Sequence, residues 1–285
     1  MKISVSSYSF RKYILKEKCD YIKICDLAKE MGFEGIEFTP LEDASYGITT
    51  DPIKTAKEIR EHCEKIGLTI VNYAVGADLA NGDGVEAMAA LKHHIDVCEA
   101  LGAKCLRHDV CYSLPKEHLT SYRDAIKVLV PRIREITDYA EKKGIRTCTE
   151  NHGYIFQAPE RVEELILAVG KKNYGWLCDI GNFLCADAEP ARSTFIAAPY
   201  TFHVHAKDML FKDGSTTSCP KGFFRTNCGN YLRGTAVGHG VVPVEKCINI
   251  LKNAGYDGWL SIEFEGMEDC LEGIAAGLDF LKKLV

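Results

Sequence analysis

The sequence predicts an α/β fold, a single-domain (β/α)8 TIM barrel. Three observations carry that expectation. Short apolar runs alternate with longer amphipathic ones along all 285 residues. The alternation yields eight strand–helix units, the number that closes into a barrel at this length. The turn after the first strand, Ser7-Tyr8-Ser9-Phe10, lacks the glycines that an open, doubly wound sheet would want there.

The units run in order. Residues 2–6 (KISVS) form the first strand and 21–31 a helix. Strand 34–39 (EGIEFT) leads to helix 51–66, with Pro52 in its first turn. Strand 68–74 (LTIVNYA) leads to helix 84–101, closed by Gly102. Strand 104–110 (KCLRHDV) leads to a long helix over 119–143, ended by Gly144. Strand 145–150 (IRTCTE) precedes helix 159–169 and Gly170. Strand 175–180 (GWLCDI) precedes a weak helix over 189–198. Strand 201–205 (TFHVH) precedes helix 243–253, stopped by Gly255. Strand 259–264 (WLSIEF) precedes the last helix, 271–284. Glycine past a helix end and Asp or Pro near its start are the usual punctuation, because each suits the unpaired backbone groups there. Mostly continuous apolar strands mean a parallel sheet covered by helices. One irregular segment, 208–242, follows the seventh strand, is rich in Gly and Thr, and carries Arg225, Tyr231 and Arg233. A loop insertion that long in a compact domain is expected to be a lid or binding loop.

Composition narrows the function. Hydrophobic residues make up 46% and charged ones 26%, which suits a globular protein and excludes a disordered chain or a fibre. Lys and Arg total 35 against 40 Asp and Glu, a net charge of −5 without the basic excess a nucleic-acid binder needs. No stretch approaches the ~18 apolar residues of a membrane span, and MKISVSSYSFRKY has no apolar signal-peptide core. The expected location is cytoplasmic, where the 13 cysteines, none in CxxC spacing, stay reduced.

In a barrel of this kind, chemistry sits at the C-terminal ends of the strands. The fifth strand ends in Glu150-Asn151-His152 and the sixth in Cys178-Asp179-Ile180-Gly181-Asn182. The seventh ends in His203-Val204-His205-Ala206-Lys207-Asp208 and the eighth in Ile262-Glu263-Phe264-Glu265-Gly266. Each acid alone reads as a cap or half of an ion pair. Three acids and an imidazole on one rim repel and lose hydration unless a cation binds them. Glu150, Asp179, His205 and Glu263 make a three-oxygen, one-nitrogen set that suits Mn²⁺, Mg²⁺, Co²⁺ or Zn²⁺. Without thiolate it is not a structural zinc site. His203, on the same strand face, reads as a core histidine.

ENHG, CDIGN, HVHAKD and GYDGWLSIEFEG resemble segments of the sugar phosphate isomerase/epimerase-like proteins of the xylose isomerase-like TIM barrel superfamily. The resemblance covers essentially the whole chain and is strongest over 150–266. It implies one metal site, of Mn²⁺ type, at Glu150, Asp179, His205 and Glu263. In the epimerase branch the residues matching Glu150 and Glu263 also shuttle protons. The family includes ketose 3-epimerases, hydroxypyruvate isomerases, inosose dehydratases and endonuclease IV, so the substrate stays open. Asn182 stands where the endonuclease IV branch has a second His, and the third strand ends in Tyr73, so DNA repair is not expected. The GHG-VVP and EFEGMED segments also resemble the larger subunit of bacterial C-glycoside deglycosidases, which cleave 3-oxo-glycosides. That would imply a small partner subunit closing the 208–242 loop; a homo-oligomer is the other reading.

Isomerisation, epimerisation and β-elimination share one hard step, removal of a proton next to a carbonyl. The expectation is a divalent-metal-dependent sugar or keto-sugar isomerase/epimerase working through a metal-stabilised enediolate. Glu150, Glu263 and His152 are its acid–base candidates. The alternatives are a lyase of the same family (a 3-oxo-C-glycoside deglycosidase or an inosose-type dehydratase) and a non-catalytic sugar-binding barrel. Arg107, His108, Lys207 and Tyr8 are candidate substrate contacts, with Phe10 and Tyr73 as walls. Glu265, Glu268 and Asp269 are a poor field for a phosphate dianion, although Gly238-His239-Gly240 has backbone amides to offer. The expected substrate is a small carbohydrate without phosphate.

Overall fold

The computed structural model describes residues 1–42, 51–114, 121–215 and 218–285. Among them, eight parallel strands close a barrel. These are β1 (Lys2–Ser6), β2 (Gly35–Phe38), β3 (Thr69–Val75), β4 (Cys105–His108), β5 (Arg146–Glu150), β6 (Tyr174–Asp179), β7 (Thr201–Ala206) and β11 (Trp259–Ile262), with β11 pairing to both β7 and β1. The connecting helices are α2 (Tyr21–Met31), α3 (Pro52–Ile66), α4 (Val85–Leu101), α5 (Tyr122–Glu141), α6 (Pro159–Val169), α7 (Pro190–Ala197), α8 (Val244–Asn253) and α9 (Cys270–Leu281).

Local chemistry explains the boundaries. Asp20 and Asp51 accept from first-turn amides of α2 and α3, and Ser121 accepts from Asp124 N–H to start α5. The expected start of that helix at 119–120 lies outside the described residues. Two features depart from expectation. A short helix, α1 (Arg11–Glu17), follows β1; it has no side-chain N-cap and buries only Ile14, so neither capping nor periodicity marks it. The segment over 208–242 is not simply irregular. It holds a three-stranded antiparallel sheet, β8 (Asp208–Lys212), β10 (Tyr231–Thr235) and β9 (Phe224–Arg225), in the order β8-β10-β9. Met209 and Leu232 anchor it on Cys185. Gly234 is required there, since a Cβ would stand 2.8 Å from the Glu265 backbone.

Side chains facing the helices make the apolar core, as Ile3, Val5, Ile36, Phe38 and Trp176 do. The barrel interior is polar apart from a small cluster of Cys105, Cys148 and Leu177. Ser4 and Ser261 hydroxyls lie 2.6 Å apart, His203 Nε2 is 2.9 Å from Ser261 Oγ, and Asn72 donates to Glu37. The outward face of the strands is thus the main apolar one, and the inward face carries the chemistry.

Two histidines, one half-buried and one fully buried, couple this packing to pH. His94 on α4 and His108 on β4 are each pushed down to about 4, chiefly by burial. Both fold neutral, and unfolding releases an imidazole of ordinary basicity. The unfolded chain then binds more protons, so this part of the stability is present above about pH 6.5 and is lost as pH falls towards 4. Each histidine is expected to remove about 2 kcal/mol between pH 7 and 5. Urea unfolding of wild type and His94→Gln at both pH values checks it. An equal loss in the two proteins would be the contrary result.

Candidate metal centre

At the C-terminal mouth of the barrel, β5, β6, β7 and the residue after β11 each turn one side chain inward. One donor atom from each of Glu150, Asp179, His205 and Glu263 lies within 4.8 Å of all the others. His205 Nδ1 is 3.5 Å from Glu263 Oε2 and 3.8 Å from both Glu150 Oε1 and Asp179 Oδ2.

Further contacts hold these side chains in place, one of them on Glu150 Oε1 itself. Asp179 Oδ1 accepts from the backbone N–H groups of Gly181 and Asn182, each at 2.8 Å. Glu150 Oε1 accepts from Asn182 Nδ2 at 2.7 Å, and its Oε2 meets Arg107 Nη2 at 2.7 Å. His205 Nε2 lies 2.9 and 3.0 Å from the two oxygens of Glu37. His205 Nδ1 is left buried with no hydrogen bond among the described residues, and Asp179 Oδ2 has only the Lys207 ammonium beside it, at 3.2 Å. Buried polar atoms are rarely orphaned without a reason. One such nitrogen converging with three carboxylate oxygens fits a divalent cation of the oxygen-and-imidazole class.

Charge argues the same way. Lys207, itself buried, places Nζ 2.5 Å from Glu263 Oε2 and 3.2 Å from both Asp179 Oδ2 and Glu265 Oε2. Burial alone would raise the Glu263 carboxyl, but Lys207 and His205 outweigh it and hold it well below the usual range. Burial of Glu150 is likewise outweighed, chiefly by Arg107. Asp179 is pushed up to about 6 by burial, which Lys207 opposes and Glu150 and Glu263 reinforce. Burial works against charge on His205, yet Glu37 and Glu263 hold its imidazole well above the ordinary value. The mouth favours positive charge at the point where the four groups meet.

The other sequence candidates divide. Arg107 faces the cluster, bridging Glu150 and Asp109, and Lys207 sits among the acids. His152 stands beyond Glu150 with its ring 43% exposed and Nδ1 3.0 Å from Asp109. Burial would lower the His152 pKa, but the Asp109 carboxylate raises it above the ordinary value. Tyr8 lines an open pocket of about 300 Å³ beside the cluster, with Phe224, Phe264 and Glu265. Burial, then Glu265 and Glu263, pushes the Tyr8 phenol up to about 12. His108 is a correction. It is fully buried, turns to its own neighbour's carbonyl, and stacks on Tyr174 outside the barrel, because Arg107 takes the inward phase. Phe10 and Tyr73 are buried in the apolar core. His203 belongs to the interior polar column, 3.2 Å from Glu37.

Two functional neighbours went unread in the sequence. Glu37 is the fully buried anchor of His205; its signal was a charged residue within an otherwise buried strand, EGIEFT. Asp109 is the partner of His152, and its signal was an acid two residues after Arg107.

Residues 25–284 match the model of the xylose isomerase-like TIM barrel family, and the chain belongs to that family. Within it, the inosose dehydratase of Geobacillus thermodenitrificans is 24% identical over 246 residues, 82% of this chain and 78% of that protein. The crystal structure of the IOLI protein with a binding zinc atom superposes with a TM-score of 0.78 at 17% identity, covering 100% of this chain and 98% of that one. D-psicose 3-epimerase, crystallised in the presence of D-fructose, gives 0.72 at 16% identity, covering 100% and 99%. At these identities the likeness is one of fold. Among the described residues no helix is long and apolar enough to cross a membrane.

Proposed function

We propose that this protein is a divalent-metal-dependent sugar or keto-sugar isomerase/epimerase, acting by proton abstraction next to a carbonyl. The observation that carries the reading is the convergence of His205 Nδ1, which has no hydrogen bond among the described residues, with oxygens of Glu150, Asp179 and Glu263 at the barrel mouth. These four residues would hold the ion, with Mn²⁺ the first choice and Mg²⁺, Co²⁺ or Zn²⁺ in reserve. The ion supplies a Lewis acid for a carbonyl and its neighbouring hydroxyl. Glu150 and Glu263 lie at the ends of strands separated by β6 and β7 and serve as proton carriers, with His152 as a further acid/base at the rim. Lys207 and Arg107 keep these carboxylates ionised, which a proton acceptor requires. Tyr8 offers a neutral phenol to substrate hydroxyls.

A carbohydrate without phosphate is supported by Asp208. Its carboxylate accepts from the N–H groups of Met209, Gly238, Gly240 and Val242, so the glycine amides that might have cradled a phosphate are already taken. The free thiols of all 13 cysteines support a cytoplasmic setting.

The pocket walled by Tyr8, Phe224 and Phe264 favours one second reading, a lyase that expels an apolar substituent such as an aglycone. Incubating Mn²⁺-loaded protein in D₂O with a panel of ketoses and 3-oxo-glycosides separates the two. Deuterium incorporation with a new epimer or isomer supports the first. Loss of water or aglycone supports the second. Binding without exchange on any member of the panel would refute both.

A further inference from the structure

Beyond the four-residue cluster, the mouth holds a second connected group of side chains. Asp109, just past β4, is buried and makes three contacts. Its Oδ1 lies 3.0 Å from His152 Nδ1 and 2.8 Å from Arg107 Nη2, and its Oδ2 accepts from Tyr112 Oη at 2.8 Å. Arg107 spends the same Nη2 on Glu150 Oε2 at 2.7 Å and donates Nη1 to the Val75 carbonyl at 3.1 Å. One guanidinium therefore fixes the distance between a carboxylate of the cluster and the acid that faces His152.

The backbone holds His152 as firmly. His152 pairs with Phe156 in an isolated antiparallel bridge. Gly153 has φ +80° with the Cys111 carbonyl 3.2 Å from where a Cβ would stand, so only glycine makes this turn cheaply. Tyr154 follows at φ 66°, a conformation that costs a non-glycine residue on the order of 1 kcal/mol, and its N–H donates to Gln157 Oε1 at 2.8 Å. The Tyr112 ring meets the imidazole edge-on at 6.4 Å. Strained backbone and a buried acid are spent on orienting one ring whose Nε2 carries no hydrogen bond among the described residues.

From this geometry we infer that Asp109 is a positioning residue: it holds His152 as the Nδ1–H tautomer and leaves the Nε2 lone pair facing the mouth. A carboxylate only accepts, so it can meet Nδ1 only when that nitrogen carries the proton. The free nitrogen is then the one on the solvent side, available to take a proton from a bound molecule and to return it. No proton leaves Asp109 in this scheme. The acid sets which nitrogen works, as buried acids do for other catalytic imidazoles. The inference rests on the acid/base role given above to His152, but the tautomer is a property of the protein alone.

¹⁵N spectra of histidine-labelled protein at pH 8 test it, with His152 assigned by its loss in His152→Gln. The expected wild-type signature is a pyrrole-type shift at Nδ1 and a pyridine-type shift at Nε2. In Asp109→Ala the pattern should relax to the mixture or the Nε2–H form usual for a free imidazole. In Asp109→Asn, Arg107 Nη2 keeps the amide oxygen at the Oδ1 position and the amide NH₂ faces the Tyr112 hydroxyl, so Nδ1–H is still accepted and the wild-type pattern should return. Turnover on whichever substrate the D₂O panel yields should fall at least tenfold in kcat for Asp109→Ala with KM little changed. Wild-type protein with the proton on Nε2, or Asp109→Ala with an unchanged tautomer, overturns the inference even if the enzyme proves active. The predicted shifts in a protein that exchanges no substrate would uphold the positioning while refuting the proposed reaction.

Discussion

Glu150→Gln is expected to lose tight divalent-metal binding and deuterium exchange together, with exchange falling by at least about 100-fold. The amide has the shape of the acid it replaces but cannot satisfy the same neighbours. Glu150 Oε1 accepts from Asn182 Nδ2 and Oε2 from Arg107 Nη2, each at 2.7 Å. Both neighbours are donors. A Gln must turn its NH₂ towards one of them, donor against donor, or swing away from both. Either choice alters the oxygen that faces Asp179 and His205, and the neutral amide is a poorer metal ligand and no proton carrier. Arg107 keeps Asp109 as a partner, so the variant should still fold. Metal content after dialysis, read by elemental analysis beside the D₂O exchange rate, tests the prediction. Full metal content at wild-type affinity would remove Glu150 from the ligand set.

The barrel was legible because its signals are local and repeated: eight apolar runs, glycines at helix ends, Asp or Pro near helix starts. Glu150, Asp179, His205 and Glu263 were legible because they follow strands at one end of the sheet, where parallel topology gathers whatever those positions carry. The limits are equally physical. Arg107 and His108 are adjacent, and strand alternation sends one into the mouth and the other under the helices. A one-residue uncertainty in strand phase is enough to exchange them. The strands β8 and β10 pair across a separation that leaves no short-range hairpin signal, so a Gly-rich stretch read as loop. Asn182, noted only as the residue that stands in place of a histidine, clasps Glu150 and receives Lys207 Nζ at 3.2 Å, a role visible only once the turn after β6 is folded. Glu37 comes from β2, 168 positions before His205. Only closure of the barrel brings the two together.

That long-range partner gives the other large expected effect. Glu37 is fully buried and is approached by His205 Nε2, by His203 Nε2 at 3.2 Å and by Asn72 Nδ2 at 2.8 Å. Burial alone would neutralise it, yet the two histidines hold its carboxyl well below the ordinary range, His205 foremost. A charged acceptor at Nε2 keeps the proton on that nitrogen, and the Nδ1 lone pair then points at Glu150, Asp179 and Glu263. Outer partners of this kind orient a metal-binding histidine and raise its basicity, and their loss typically costs about 10–100-fold in metal affinity. Glu37→Leu should do more, because it strands His205 Nε2 and Asn72 Nδ2 in the barrel interior at roughly 1–3 kcal/mol for each unpaired group. Glu37→Gln is the cleaner probe. Its oxygen can still accept from His205, so the fold should survive while metal affinity drops about 10–100-fold. His203→Gln touches the same carboxylate at a residue outside the four-donor set and serves as control, with a smaller loss expected. Calorimetric Mn²⁺ titration of the three proteins decides the matter. Equal affinities in wild type and Glu37→Gln would reduce Glu37 to a filler of the barrel and leave the orientation of His205 to packing alone.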